Sequence, residues 1–146
     1  VSFSPNASCP GSNHAQQNIQ DIAAGKAPSV CSPTCNCQPG GTSGTVTVSP
    51  QILDGLKALQ AQFPGQFAVT SLTTGAHSAG SKHYQGLAVD IAPTAADGGT
   101  WRAMRDVLLG RGGRAFCERG NGSESATCDD EDTGPGRDPD HIHWEL

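Results

Sequence analysis

Aromatic residues are scarce in this chain: four Phe, two Trp and one Tyr among 146 residues. With nineteen glycines and ten prolines, that points to a loop-rich fold rather than a helical bundle. Positive charge is also in short supply. Nine Lys and Arg against fourteen Asp and Glu leave a net charge of −5, which argues against nucleic acid or an anionic membrane surface as a partner. No apolar run approaches the roughly twenty residues of a membrane span. No signal peptide is present either, so the expectation is that any export signal or anchor was removed ahead of this numbering. No internal repeat is found, and 146 residues suit one domain with a real core, expected to be a monomer. Cysteine, by contrast, is present as an even set: Cys9, Cys31, Cys35, Cys37, Cys117 and Cys128. In a small domain this reads as three disulfides formed in an oxidising compartment, hence a secreted, periplasmic or envelope-facing protein. Cys117 and Cys128 are expected to close one loop, with Cys31, Cys35 and Cys37 stapling residues 26–44 to themselves and to Cys9. A second zinc site built from Cys31, Cys35 and Cys37 is the alternative, although no fourth ligand with standard spacing follows.

Residues 1–12 read as irregular. Asn13 can cap a helix through about Ala24, with Ile19, Ile22 and Ala23 on one face. Residues 26–44 carry Pro28, Pro33, Pro39 and Gly40-Gly41 and are expected to form no regular element. Thr45–Val48 is a strand candidate. Ser49-Pro50 then starts a helix whose face is Ile52, Leu53, Leu56, Leu59 and Phe63. Gln66–Ser71 reads as a strand, Leu87–Ala92 as a buried one, and Trp101, Met104, Val107 and Leu108 as one face of a third helix closed by Gly110. Arg114–Cys117 and His141–Leu146 complete the strands. Between them, residues 119–139 are polar and acidic, a solvated insertion or a weak calcium site.

Chemistry concentrates in two stretches, Ser81-Lys82-His83-Tyr84-Gln85-Gly86-Leu87-Ala88-Val89-Asp90 and Asp140-His141-Ile142-His143; four of the five histidines fall in or beside them. Two imidazoles and a carboxylate read as a mononuclear zinc site, one ion per chain, with its fourth position open to water. His83 and Asp90 are too far apart for one helical face, but the spacing is natural for a loop entering a strand. Alternation along a strand sends His141 and His143 to the same face, so one can bind the metal while the other meets the substrate. Ser81 orients the His83 loop by hydrogen bonding.

Taken together, Ser-x-His-x-x-Gly-x-Ala-x-Asp and a late His-x-His resemble the LAS-type zinc peptidases: D-Ala-D-Ala carboxypeptidases and dipeptidases, phage L-alanyl-D-glutamate endolysins and the hedgehog signalling domain. The local match to hedgehog is the nearest, through His77-Ser78, Ser81–Ile91 and His141-Ile142-His143, and the resemblance covers roughly residues 66 to 146. It implies zinc on His83, Asp90 and His143. It also implies an acidic base that takes a proton from water and returns it to the leaving amine. Asp140 is the first candidate, at the offset used by the dipeptidases and endolysins. Glu118 is the rival, at the hedgehog position. His77 and His141 would stabilise the developing oxyanion. The segment Ser71–His77 lacks the arginine that many bacterial members carry, so a carboxylate clamp does not carry over; Arg102, Arg114 and Arg137 are the cations available.

The expectation is therefore an α+β domain, a mainly antiparallel sheet with helices on one side, of hedgehog/D,D-peptidase type. Residues 1–44 form a disulfide-stapled extension and 45–146 the peptidase-like domain, in one compact unit. The function expected is a secreted zinc metallopeptidase acting on peptidoglycan stem peptides. The alternative is a zinc-containing binding module without peptidase activity.

Overall fold

The computed structural model describes residues 2–3, 14–30, 44–75, 77–78, 80–94, 97–118, 124–125, 128 and 141–146. In chain order the elements are β1 (Ser2–Phe3), α1 (His14–Ala23), β2 (Ser29–Val30), β3 (Gly44–Thr45), α2 (Pro50–Gln62), β4 (Phe67–Ser71), a 3₁₀ turn (Lys82–Gln85), β5 (Ala88–Pro93), α3 (Gly98–Leu109), β6 (Arg114–Glu118), β7 (Glu124–Ser125) and β8 (His141–Glu145). The class is α+β. One sheet runs in the order β1-β4-β5-β8-β6-β7, antiparallel throughout except where β1 pairs parallel with β4. β2 and β3 form a separate antiparallel pair.

Strand alternation divides the two faces of this sheet. Phe67, Val69, Val89, Ile91, Cys117, Ile142 and Trp144 point into a single apolar cluster. The same cluster receives Ala15 from α1, Ile52, Leu56 and Leu59 from α2, and Trp101, Met104 and Leu108 from α3. All three helices thus cover one face. The opposite face carries the intervening residues, Asp90 on β5, His141 and His143 on β8, and Phe116 and Glu118 on β6. Register sets them side by side: Asp90 pairs with His143, His143 with Phe116, and His141 with Glu118.

Local sequence explains the helices. Ser49 accepts a hydrogen bond from Gln51 N at the start of α2, with Pro50 in the first turn, and Asp97 caps α3 through Thr100 N at 2.8 Å. Gly55 sits mid-helix because the buried Trp144 ring packs against its α-carbon where any Cβ would overlap it. The Trp144 indole N–H donates to the Gly112 carbonyl at 2.8 Å, so the ring is buried without an orphaned donor.

Several expectations are revised. Ser2–Phe3, read as irregular, adds a parallel edge strand, and α1 packs into the common core. α1 buries Ala15 and Asn18, with Ile19 and Ile22 packed beside them, while Ala23 is exposed. Asn18 replaces an apolar residue because its Oδ1 accepts from both the Thr73 N–H and the Thr73 hydroxyl, at 3.3 and 3.0 Å. Of the Thr45–Val48 candidate only Thr45 lies in a ladder, opposite Ser29, and Ser29, Val30 and Gly44 thus form a strand pair within the stretch expected to have none. β6 runs one residue further than expected, to Glu118. Cys9, Cys31, Cys35, Cys37, the Asn13 cap, Arg137, Asp140 and almost all of the acidic insertion lie outside the described residues.

Gly86 is where the fold makes room for the site. It ends the 3₁₀ turn at φ 71°, and a Cβ there would overlap the Thr47 carbonyl, which is backbone and cannot swing away. A left-handed residue with a side chain costs ~1–2 kcal/mol before any overlap. Gly86→Ala should therefore lower stability by at least about 2 kcal/mol, read from urea midpoints; an unchanged midpoint would mean that the turn relaxes without cost.

Candidate metal centre

His83 is delivered by the 3₁₀ turn, whose first N–H groups need a cap. Ser81 supplies it, its Oγ accepting from His83 N at 3.2 Å. The ring is almost wholly buried, and its Nδ1 lies 2.7 Å from the Leu72 carbonyl. A carbonyl only accepts, so Nδ1 carries the hydrogen and the Nε2 lone pair faces inward. There it meets Asp90 Oδ1 at 3.2 Å and His143 Nδ1 at 3.3 Å, and the third side, His143 Nδ1 to Asp90 Oδ1, is 2.8 Å. Three donor atoms thus form a small triangle. Three ligands on one tetrahedral ion at roughly 2.0–2.1 Å stand about 3.3 Å apart. The triangle is close to one face of such a tetrahedron, and buried lone pairs this near one another require a proton or a cation between them.

A looser group, His77, His83 and Asp90, also has ligand atoms within 4.8 Å of one another. Among the described residues, then, the chain can hold a metal ion, and ring geometry decides between the two sets. His77 is stacked on His83, centroids 3.8 Å apart and planes 11° from parallel. An imidazole lone pair lies in its ring plane, so an ion in the plane of His83 is off the plane of His77 by about the stacking distance. The planes of His83 and His143 cross at 63° and can meet at one point. His83, Asp90 and His143 are the better set.

His77 is itself fixed. Its Nε2 lies 3.1 Å from the Thr74 carbonyl and 2.9 Å from Ser71 Oγ, and its backbone N–H donates to the Tyr84 hydroxyl at 3.0 Å. Ser71 reaches this position because of a register shift between Val69 and Ser71 that sets Ser71 opposite Asp90 on the site face. The Nε2 hydrogen is directed to Thr74 and Ser71, and the ring is stacked on His83. Burial, and then the charge of His83, lower its pKa to about 4.

Glu118 and His141 stand at the open end of the triangle. Glu118 Oε2 lies 3.8 Å from His143 Nδ1 and 3.9 Å from His141 Nε2, and these two side chains keep 24% and 19% of their surface exposed. Burial, and then repulsion from Asp90, raise the Glu118 pKa above the ordinary glutamate value. Asp140, the other acid considered, lies outside the described residues. Arg114 shares this face, its guanidinium 5.2 Å over the Phe116 ring. Arg102 lies in the helix layer, on α3. Unanticipated partners are the Leu72 carbonyl, Ser71, Thr74 and Glu145. Only Glu145 had a signal in sequence, since it continues the alternation of His141 and His143.

Comparisons with protein-family models, curated proteins and solved structures find no match to this chain.

Charge within the cluster gives a pH signature for the protein with metal removed. Burial pulls the His143 pKa down, but hydrogen bonds to Asp90 and Glu145 raise it to about 9. Its folded value exceeds an unfolded value of about 6.5, so its contribution is complete below that pH and is lost as pH rises through about 9. His77 acts oppositely. With a folded value of about 4, its contribution is present above about 6.5 and is lost as pH falls through the interval. In chelator, urea midpoints should peak near pH ~6.5. His143→Ala should flatten the alkaline limb and His77→Ala the acidic one; limbs unaltered by these substitutions would refute the assignment.

Proposed function

We propose that this chain is an exported zinc-dependent peptidase that cuts peptide bonds in the stem peptides of cell-wall peptidoglycan, with His83, Asp90 and His143 holding one zinc ion. The observation that carries the reading is the triangle of two imidazole nitrogens and one carboxylate oxygen, with a partly exposed carboxylic acid 3.8 Å from one corner. Two nitrogens and an oxygen suit zinc, and three protein ligands leave a position for catalysis. The paired motifs that resemble LAS-type peptidases supply the substrate class. Export is supported by the buried Cys117–Cys128 disulfide, which belongs to an oxidising compartment.

When bound, zinc supplies an activated water and a Lewis acid for the scissile carbonyl. The chain's own residues do the rest. Asp90 is kept ionised: burial pushes its pKa up, but attraction to the flanking imidazoles outweighs this and holds it well below the ordinary carboxylate value. Glu118 takes a proton from the attacking water and passes it to the departing amine. A glutamate whose pKa is raised toward neutrality is suited to both halves of that transfer. His141, beside Glu118 and partly exposed, is placed to donate to the carbonyl oxygen as negative charge develops. His77 holds the His83 ring in place.

The test uses purified muropeptides and the zinc-loaded chain, scored for released D-alanine and for internal stem cuts. Glu118→Gln should lower turnover by about 10²–10⁴-fold while one zinc per chain is retained. Asp90→Ala should lose the ion. If Asp140→Ala abolishes turnover and Glu118→Gln does not, the proton transfer belongs to Asp140. If the wild-type protein binds zinc but cleaves no wall peptide, the binding-module reading replaces the enzyme.

A further inference from the structure

Each histidine of the triangle is gripped at its outer nitrogen, but by partners of different kinds. For His83 the partner is the Leu72 backbone carbonyl, which substitution of a side chain leaves in place. For His143 it is a side chain: Nε2 lies 3.1 Å from Glu145 Oε2. Glu145 follows His143 by two residues on β8, so the pleat sets both on the site face. Its other oxygen, Oε1, faces Arg114 Nη1 at 3.5 Å, and Arg114 is its register partner on β6. Arg114 in turn lies over Phe116, whose ring centroid is 5.1 Å from that of His143. A chain of contacts therefore runs from Arg114 to Glu145 to His143, with Phe116 bracing the ring from the side.

The direction of this chain matters for the tautomer. An ionised carboxylate only accepts, so His143 Nε2 carries the hydrogen. In the neutral ring the lone pair then falls on Nδ1, the atom 2.8 Å from Asp90 Oδ1 and 3.3 Å from His83 Nε2. With the opposite tautomer, Nδ1 would present a hydrogen to the ion.

We propose that Glu145, anchored by Arg114, is a positioning residue for the metal centre: it selects the Nδ1-ligating tautomer of His143 and fixes the angle of its ring. The inference rests on the zinc reading above and goes beyond it by naming a residue outside the ligand set whose chemistry sets the affinity. Removing such a hydrogen-bond partner typically weakens metal binding by about 10–100-fold.

The experiment measures zinc affinity of the full chain by competition with a chelator of known strength, together with the visible spectrum of the cobalt-substituted protein. Glu145→Met keeps length and packing but has no oxygen acceptor. Its zinc affinity should fall by about 10–100-fold, and its cobalt bands should shift. Glu145→Gln retains an acceptor oxygen for Nε2–H and should recover most of the affinity and the wild-type spectrum. If Glu145→Met binds zinc as tightly as wild type, or if Gln and Met weaken binding equally, the tautomer role is overturned and Glu145 is only a packing residue. Should Glu145→Met fail to fold, Arg114→Met removes the anchor from an exposed position. A smaller loss in the same direction supports the proposal, and no loss overturns it. A wild-type chain that takes up no zinc would sink the functional reading itself, a result separate from any difference among these variants.

Discussion

Everything at the candidate site depends on one register. Asp90 on β5 stands opposite His143 on β8, and Ile91 opposite Ile142. A slip of one residue in either strand would turn Asp90 or His143 into the apolar layer and bring Val89 or Trp144 out. The core therefore enforces the site. Val89, Ile91, Ile142 and Trp144 are fully buried on one face, and their burial fixes which residues appear on the other. Burying an apolar side chain of this size contributes about 1.5–3 kcal/mol. Four of them hold the register far more firmly than polar contacts among the site residues could. The triangle of polar atoms, which needs a proton or a cation at its centre, is imposed by hydrophobic packing on the far side of the sheet.

How legible was this in the chain? The helices were readable because their signals are local. Ser49-Pro50 marks a start, and Ile52, Leu56 and Leu59 mark a face, all within fourteen residues of sequence. The apolar run ending in Val48 misled because burial and strand pairing give the same pattern: Val48 enters the core as the chain approaches the α2 cap, with no ladder partner in the main sheet. Ser2–Phe3 has too few residues to show a period at all. Burial of Asn18 has no local signal, because the partner that satisfies it, Thr73, lies 55 residues away.

The site divides in the same way. His83 and Asp90, and the late pair of histidines, were visible from residue type and spacing. That Glu118 stands beside them turns on cross-strand geometry. Glu118 is 23 residues from His141 along the chain yet is its register partner in the sheet. The surroundings of His77 also depend on something sequence does not carry, the shift in β4 that brings Ser71 onto the site face beside its Nε2. The buried disulfide helps to hold this edge. Cys117 precedes Glu118 on β6, and its bond to Cys128 lies in the core beneath the sheet, with the Cys128 carbonyl 3.1 Å from where Gly98 would carry a Cβ.

The position of β8 also bears on how the molecule comes into being. It follows every other described strand in chain order, yet lies between β5 and β6 in the sheet. As the polypeptide emerges from N to C terminus, β4 and β5 can pair, and α2 and α3 can form, but β6 has no neighbour to join them through. Until residues 141–145 are made, two unpaired strand edges remain and the two halves of the core stay apart. Completion of the sheet thus waits on its most non-local pairings, which form only once the central strand has been made and leave strand edges exposed until then.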